Sequence, residues 1–223
     1  MTGGGKHRQE DEEETKMNTA ADVFDLAPVV PVVALEDAGH AVPLAEALLR
    51  GGIRTIEVTL RTSAGLPAIE RIAAEVPGMV AGAGTVTEVG QAKQAADAGA
   101  QYLVTPGVTD RLLDDVEASG VPYLAGAGSV SEAMRLAERG VSAMKFFPAE
   151  AAGGVPFLKG IAGPLPKLRF CPTGGISIGN APDYLALPNV GCVGGSWLTP
   201  KDLLAAGDWD KIEQLAAEAA ALR

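Results

Sequence analysis

AGAGTVTE, residues 81–88, returns as AGAGSVSE at residues 125–132, an offset of 44 residues. Each copy runs from small residues into a Thr or Ser placed three residues before a glutamate, the spacing of a helix capping box. Each therefore reads as the end of a strand feeding a helix. Short apolar or β-branched runs recur at regular spacing on both sides of the repeat. They are VVPVVAL (29–35), TIEVTL (55–60), MVAGAGT (79–85), YLVTPG (102–107), YLAGAG (123–128), AMKFFPA (143–149), FCPTGG (170–175) and VGCVGGSW (190–197). The intervals carry helical periodicity: AVPLAEALLRGG (41–52) stops at Gly51 and Gly52, and EVGQAKQAADAGA (88–100) stops at Gly99. Eight strand–helix units of roughly 20 to 27 residues predict a (β/α)8 TIM barrel. The competitor is an open doubly wound sheet. Even spacing and an internal repeat two units long favour closure. An extra N-terminal helix, about Thr19 to Ala27, is expected to cover the barrel bottom.

Charge and composition narrow the function. The formal net charge of −10 argues against nucleic acid as a partner and against a polybasic membrane contact. An anionic ligand would need local positive groups, which can operate because the distant acidic surface is screened beyond about 8 Å at physiological salt. Residues 1–17, opening MTGGGKHRQEDEEETK, read as a disordered acidic tail, and residues 18–223 as the barrel domain. No segment approaches the ~18 uninterrupted apolar residues of a membrane span. Cys171 and Cys192 lie in apolar surroundings, so buried thiols and a reducing cytoplasm are expected rather than a disulfide framework.

Two charged residues stand where apolar ones would be easier to accommodate. Lys145 lies inside AMKFFPA, flanked by Ala143, Met144, Phe146 and Phe147. Burial there disfavours the ammonium form and would free the amine as a nucleophile. An ion-paired core lysine or a snorkelling strand-edge lysine is the alternative. In TIEVTLRT, period 2 puts Thr55, Glu57, Thr59 and Arg61 on one face and Ile56, Val58 and Leu60 on the other. A barrel strand has helices outside, so the polar face should point into the barrel mouth, where Glu57 near a lysine amine forms an acid/base pair. A structural Glu–Arg pair on an exposed strand is the competing reading. Arg61, just past the strand end, could fold over the mouth and present its donors to a carboxylate.

Thr85 and Ser129 stand at capping-box distance from Glu88 and Glu132, and a hydroxyl at a helix start can also bind an anion. PTGG (172–175) and GGS (194–196) end the last two strands. Paired glycines let backbone N–H groups approach a ligand, and the loops after strands 7 and 8 are the recurrent phosphate site of such barrels. His7 and His40 are isolated and no His/Asp/Glu grouping has ligand spacing, so neither a metal nor another cofactor is expected.

Through these motifs the chain from about Ala27 onward resembles the 2-keto-3-deoxy-6-phosphogluconate aldolase family, whose members can also accept 4-hydroxy-2-oxoglutarate. GGIRTIEVTLRT, GAGTV, TPG, MKFFPAEAAGGV, LKGIAGPLP, RFCPTGGI, YLALPNV and VGGSWL occur in family order. The resemblance implies a homotrimeric class I aldolase with Lys145 as Schiff-base residue and Glu57 as general acid/base. It implies that Arg61 and Thr85 hold the pyruvate carboxylate and that Pro106 and Phe147 wall the site. Thr173 would contact the phosphorylated keto acid, and Gly174, Gly175 and Ser196 would bind its phosphate. One departure bears on substrate preference: after the fifth strand the family usually has Pro-Gly followed by Thr, where this chain has Ala125, Gly126 and Ser129. A same-scaffold aldolase for the galactonate epimer, or for the unphosphorylated acid, and a catalytically silent phosphosugar-binding barrel are the alternatives.

Overall fold

In the computed structural model, which describes residues 17–222, each of the eight apolar runs contains a strand. These are β1 Val29–Val33, β2 Thr55–Thr59, β3 Val80–Gly84, β4 Tyr102–Val104, β5 Tyr123–Ala127, β6 Ala143–Phe146, β7 Arg169–Pro172 and β8 Val193–Gly195. β1 to β7 pair in parallel in chain order, and β8 pairs with the free edge of β1. Parallel bridges Phe170↔Val190 and Thr173↔Gly194 join β7 to β8 and close the ring. The fold is the barrel rather than the open sheet.

Helices α2 Ala41–Arg50, α3 Gly65–Glu75, α4 Gln91–Asp97, α5 Asp110–Ala118, α6 Val130–Glu138, α7 Gly154–Ala162, α8 Ala181–Leu185, α9 Lys201–Ala206 and α10 Trp209–Ala220 follow the strands. Their apolar stripes, such as Leu44 and Leu48 of α2 and Ile69 and Ile72 of α3, pack with the outward residues Ile56 and Val58 of β2. Gly51 ends α2 where a Cβ would lie 2.4 Å from that of Ala216, so the absent side chain lets α10 pack close. Among the described residues no helix is long and apolar enough to cross a membrane.

The expected N-terminal helix is a 3-10 turn, Ala20–Asp22, running into a single α turn, α1 Val23–Leu26. Asp22 accepts from the backbone N–H of Asn18 and Thr19 and from the Thr19 hydroxyl. The Thr19 N–H is foremost in holding that carboxyl below its ordinary range. The turn seals the barrel bottom as expected: Val23 and Phe24 are fully buried against Val30, Val80, Tyr102, Leu124, Cys171 and Cys192. A Cβ on Gly191 would fall 2.2 Å from the Phe24 ring, so a small residue is required beneath the plug. Cys171 and Cys192 are both buried and form no disulfide. Of the stretch read as a tail, residues 1–16 lie outside the described residues, and Met17 is buried in the bottom cluster.

Phe24→Ala should lower folding stability by about 3–5 kcal/mol, the usual range for deleting a buried aromatic ring. Urea unfolding measures it. A loss below about 1 kcal/mol, the scale of an ordinary surface substitution, would mean that the plug is not part of the cooperative core.

Candidate active site

Glu57 lies at the centre of β2 and Lys145 on β6, four strands round the barrel and 88 residues apart in the chain. Their side chains meet inside the barrel. Lys145 Nζ is 3.1 Å from Glu57 Oε1 and 3.4 Å from Oε2, and the two side chains are only 6% and 4% exposed. Two long side chains fit because the inward positions around them are glycines. A Cβ on Gly84 would lie 2.2 Å from Glu57 Oε1, and one on Gly126 would lie 2.3 Å from the Pro106 carbonyl. Gly82 makes room for the Tyr102 ring in the layer below, and Gly194 for Thr173. Three of these glycines, Gly82, Gly84 and Gly126, belong to the repeated AGAG motif.

Desolvating an ammonium and a carboxylate costs several kcal/mol each, and their attraction offsets this only when geometry is favourable. An apolar pair of similar volume would hold the barrel at least as well. What the ion pair adds is chemistry: at hydrogen-bond distance, one proton moved from Nζ to the carboxylate leaves a neutral amine beside a neutral acid. Below the pair, Thr55 Oγ1 and Tyr102 OH are 2.9 Å apart, fully buried. Burial raises the Tyr102 phenol well above its ordinary range, so it stays protonated.

At the mouth, Arg61 Nε donates to Thr85 Oγ1 at 3.1 Å. Thr85 directly follows Gly84, which abuts the Glu57 carboxylate. Among the described residues it is also the one non-glycine with positive φ, +59°, a region that β-branched residues rarely enter. Its expected capping role is not observed. α4 begins only at Gln91, whose side chain accepts from the N–H groups of Thr87 and Glu88. Ser129, its counterpart in the repeat, has ordinary extended backbone and does cap α6, accepting from the Glu132 N–H. Identical spacing thus has two outcomes: a helix cap at Ser129, and at Thr85 a strained backbone that sets the hydroxyl beside Arg61.

On the other side of Lys145, the Phe147 ring centre is 5.5 Å from Nζ. The loop after β6 is joined to the loop after β7, since Ala149 N–H donates to the Thr173 carbonyl at 2.8 Å and Glu150 N–H to the Gly174 carbonyl at 3.1 Å. Thr173 is buried, while Gly174 and Gly175 have φ of +102° and +81°, values that suit glycine. Ser196 is exposed just past β8 and Pro106 follows β4. Glu57 and Lys145 thus lie inside their strands, and the other residues expected to line the site, from Arg61 to Ser196, fall at or just beyond the C-terminal ends of theirs. Ala125 and Ser129 do not join them: Ala125 packs in the core between barrel and helices, and Ser129 is occupied as a cap. Among the described residues no group of three or more His, Cys, Asp or Glu is placed to hold a metal ion. Cavity size does not mark the site. A hollow of about 550 Å³ lies at the opposite end, lined by Asn18, Tyr123, Arg139 and Ser142 among others, and touches none of these residues.

The model of the KDPG and KHG aldolases matches residues 21–215. The chain belongs to this aldolase family. It is 53% identical over 203 residues to the 2-dehydro-3-deoxy-phosphogluconate aldolase of Pseudoalteromonas atlantica, covering 91% of this chain and 94% of that one. It is also similar to the Legionella pneumophila KDPG aldolase captured with pyruvate as a covalent carbinolamine intermediate (43% identity, TM-score 0.89, covering 91% of this chain and 98% of that one). The Zymomonas mobilis 2-keto-3-deoxy-6-phosphogluconate aldolase with 3-phosphoglycerate is a third such relative (45% identity, TM-score 0.85, covering 92% of this chain and 96% of that one).

Three features of this family member escaped the sequence reading: the Thr55–Tyr102 floor, the glycines that make room for Glu57, and a contact between Glu150 and Tyr184. Inward parity in TIEVTL and YLVTPG carries the signal for the first, and the glycine spacing in AGAG for the second. Nothing local signals the third, which joins residues 34 apart.

Thr85→Gly should unfold at the same or a higher urea concentration than the parent protein. Relief of a strained φ, of order 1–3 kcal/mol, offsets the added flexibility of glycine in the unfolded chain. A marked drop in the unfolding midpoint would show that Thr85 is not strained.

Proposed function

We propose that this protein cleaves 2-keto-3-deoxy-6-phosphogluconate to pyruvate and glyceraldehyde 3-phosphate through a lysine Schiff base, with 4-hydroxy-2-oxoglutarate as a second substrate. The observation that carries the proposal is the buried Lys145–Glu57 pair, an amine 3.1 Å from a carboxylate in the barrel interior. The carbinolamine formed with pyruvate in the Legionella relative supports the same chemistry.

The Lys145 amine attacks the C2 ketone, and Glu57 moves the protons that turn the carbinolamine into an iminium and water. Glu57 then takes the C4 hydroxyl proton. The C3–C4 bond breaks, its electron pair flows into the iminium to give an enamine, and the aldehyde departs. Glu57 returns the proton to C3, and water hydrolyses the imine to release pyruvate and the free lysine.

Arg61 and Thr85 hold the carboxylate next to C2, an assignment supported by their contact beside Gly84. Phe147 and Pro106 wall the reacting carbons, Thr173 contacts the sugar chain, and Gly174, Gly175 and Ser196 take the phosphate. Phosphate contacts supply binding energy remote from the bond that breaks. The reading includes a homotrimer, as the family resemblance implies, working in the cytoplasm with no metal or cofactor.

Pyruvate release coupled to lactate dehydrogenase tests the proposal, with both C4 epimers of the phosphorylated acid and the dephosphorylated acid compared. The gluconate epimer should react fastest, in EDTA as well as without it. Glu57→Gln should fold and turn over about 10²-fold or more slowly, the scale of a lost general acid/base. Absence of pyruvate from every substrate would leave a phosphosugar-binding barrel, and faster cleavage of the galactonate epimer would reassign the substrate.

A further inference from the structure

Glu150 ends the MKFFPAE motif, five residues beyond Lys145, and the reaction described above gives it no role. Its backbone N–H donates to the Gly174 carbonyl at 3.1 Å. Its side chain lies directly beneath the next glycine: a Cβ on Gly175 would fall 2.6 Å from Glu150 Cγ and 2.8 Å from Cβ. The carboxylate then accepts a hydrogen bond from the hydroxyl of Tyr184, a residue of α8 that is 1% exposed. Gly154 clears the space round this contact, since a Cβ there would lie 3.0 Å from the Tyr184 oxygen and 3.4 Å from Glu150 Oε1. Asn180 holds the far side of the same loop, donating to the Gly175 carbonyl at 3.1 Å.

This arrangement is a strut. It runs from a fixed core residue, Tyr184, through Glu150 to the two glycines assigned to the phosphate. It also governs charge. A free carboxylate beside that loop would repel a phosphate dianion, and the hydroxyl of Tyr184 holds the Glu150 carboxylate in place while satisfying one of its lone pairs.

We infer that Tyr184 and Glu150 are positioning residues that set the preference for phosphorylated over unphosphorylated substrate, by fixing the Gly174–Gly175 loop and restraining the Glu150 carboxylate. The inference rests on the proposed aldolase reading and deepens it. Neither residue touches the reacting carbons, so the effect is confined to the phosphate end. Without the Tyr184 hydroxyl, the loop loosens and the carboxylate is free to turn toward the phosphate. KM for the phosphorylated acid then rises while the chemistry at Lys145 is untouched.

The test is steady-state kinetics of Tyr184→Phe, Glu150→Ala and Glu150→Gln with 2-keto-3-deoxy-6-phosphogluconate and with its dephosphorylated counterpart, each variant checked for native circular dichroism. Tyr184→Phe and Glu150→Ala should raise KM for the phosphorylated acid about tenfold, or 1.4 kcal/mol, with kcat within twofold. Turnover of the dephosphorylated acid should not change. Glu150→Gln, whose amide oxygen still accepts from Tyr184, should stay close to the parent enzyme. Equal losses on both substrates would overturn the inference, because that is the signature of a merely structural contact. So would an unchanged KM in both Tyr184→Phe and Glu150→Ala. If the parent enzyme releases pyruvate from neither acid, the aldolase reading itself fails and the inference with it, an outcome distinct from the other two.

Discussion

An ammonium and a carboxylate meet across the inside of a closed barrel, and much of the surrounding structure follows from making room for them. Lys145 and Glu57 reach toward each other from strands on opposite sides of the ring. Bulky branched residues usually fill a barrel of this kind. Here the neighbouring inward positions are Gly82, Gly84, Gly126 and Gly194, at each of which a Cβ would lie closer than 3 Å to another atom. The packing deficit is made up lower down, where Tyr102 fills the layer beneath and Phe24 closes the bottom. Apolar packing and buried charge are thus divided along the barrel axis: an apolar plug at the bottom, and a desolvated ion pair above it.

The mouth shows a second constraint, on backbone rather than side chain. Thr85 is held at positive φ, which a β-branched residue adopts only when its surroundings enforce it. The comparison with Ser129 sets the cause in context, since both follow an AGAG segment on an inward strand end. After β5 the chain enters α6 at once and uses its hydroxyl as a cap. After β3 it delays α4 until Gln91, and Thr85 is left beside Arg61 over Gly84. This conformation leaves Thr85 only partly buried. It places a hydroxyl and a guanidinium side by side next to Glu57, where the proposed reaction needs the carboxylate of its keto acid to be held.

Much of this was legible in the sequence because the barrel turns local pattern into position. Period 2 in TIEVTLRT placed Glu57 on the inward face, and the structure agrees. Lys145 stood out because its neighbours are apolar, and its inward parity follows from Met144 and Phe146 packing outward. Gly51, Gly52 and Gly99 stop their helices as read. Other features lay beyond local pattern. Capping-box spacing at Thr85 was misleading, because Gln91 captures the N–H groups that the box would have used. Ala125, where the family usually has proline, lies in the core on the helix-facing side of β5, a placement that the motif comparison did not supply. The Glu150–Tyr184 strut depends on the register of β6 against β7 and on where α8 packs, neither of which the sequence reading specified.

The most direct measurement is covalent capture at Lys145. Pyruvate with borohydride should convert a transient imine to a stable secondary amine, so intact mass should rise by one pyruvate-derived group, mapped by peptide digestion to MKFFPAE. Lys145→Arg should take up no label, because guanidinium stays protonated and is no nucleophile. Surface lysines such as Lys93 on α4, paired with Asp97, and Lys211 on α10 lie outside the barrel interior and should stay unmodified. Labelling of those lysines to the same extent as Lys145, or an active enzyme whose Lys145 takes up no label, would contradict the Schiff-base account.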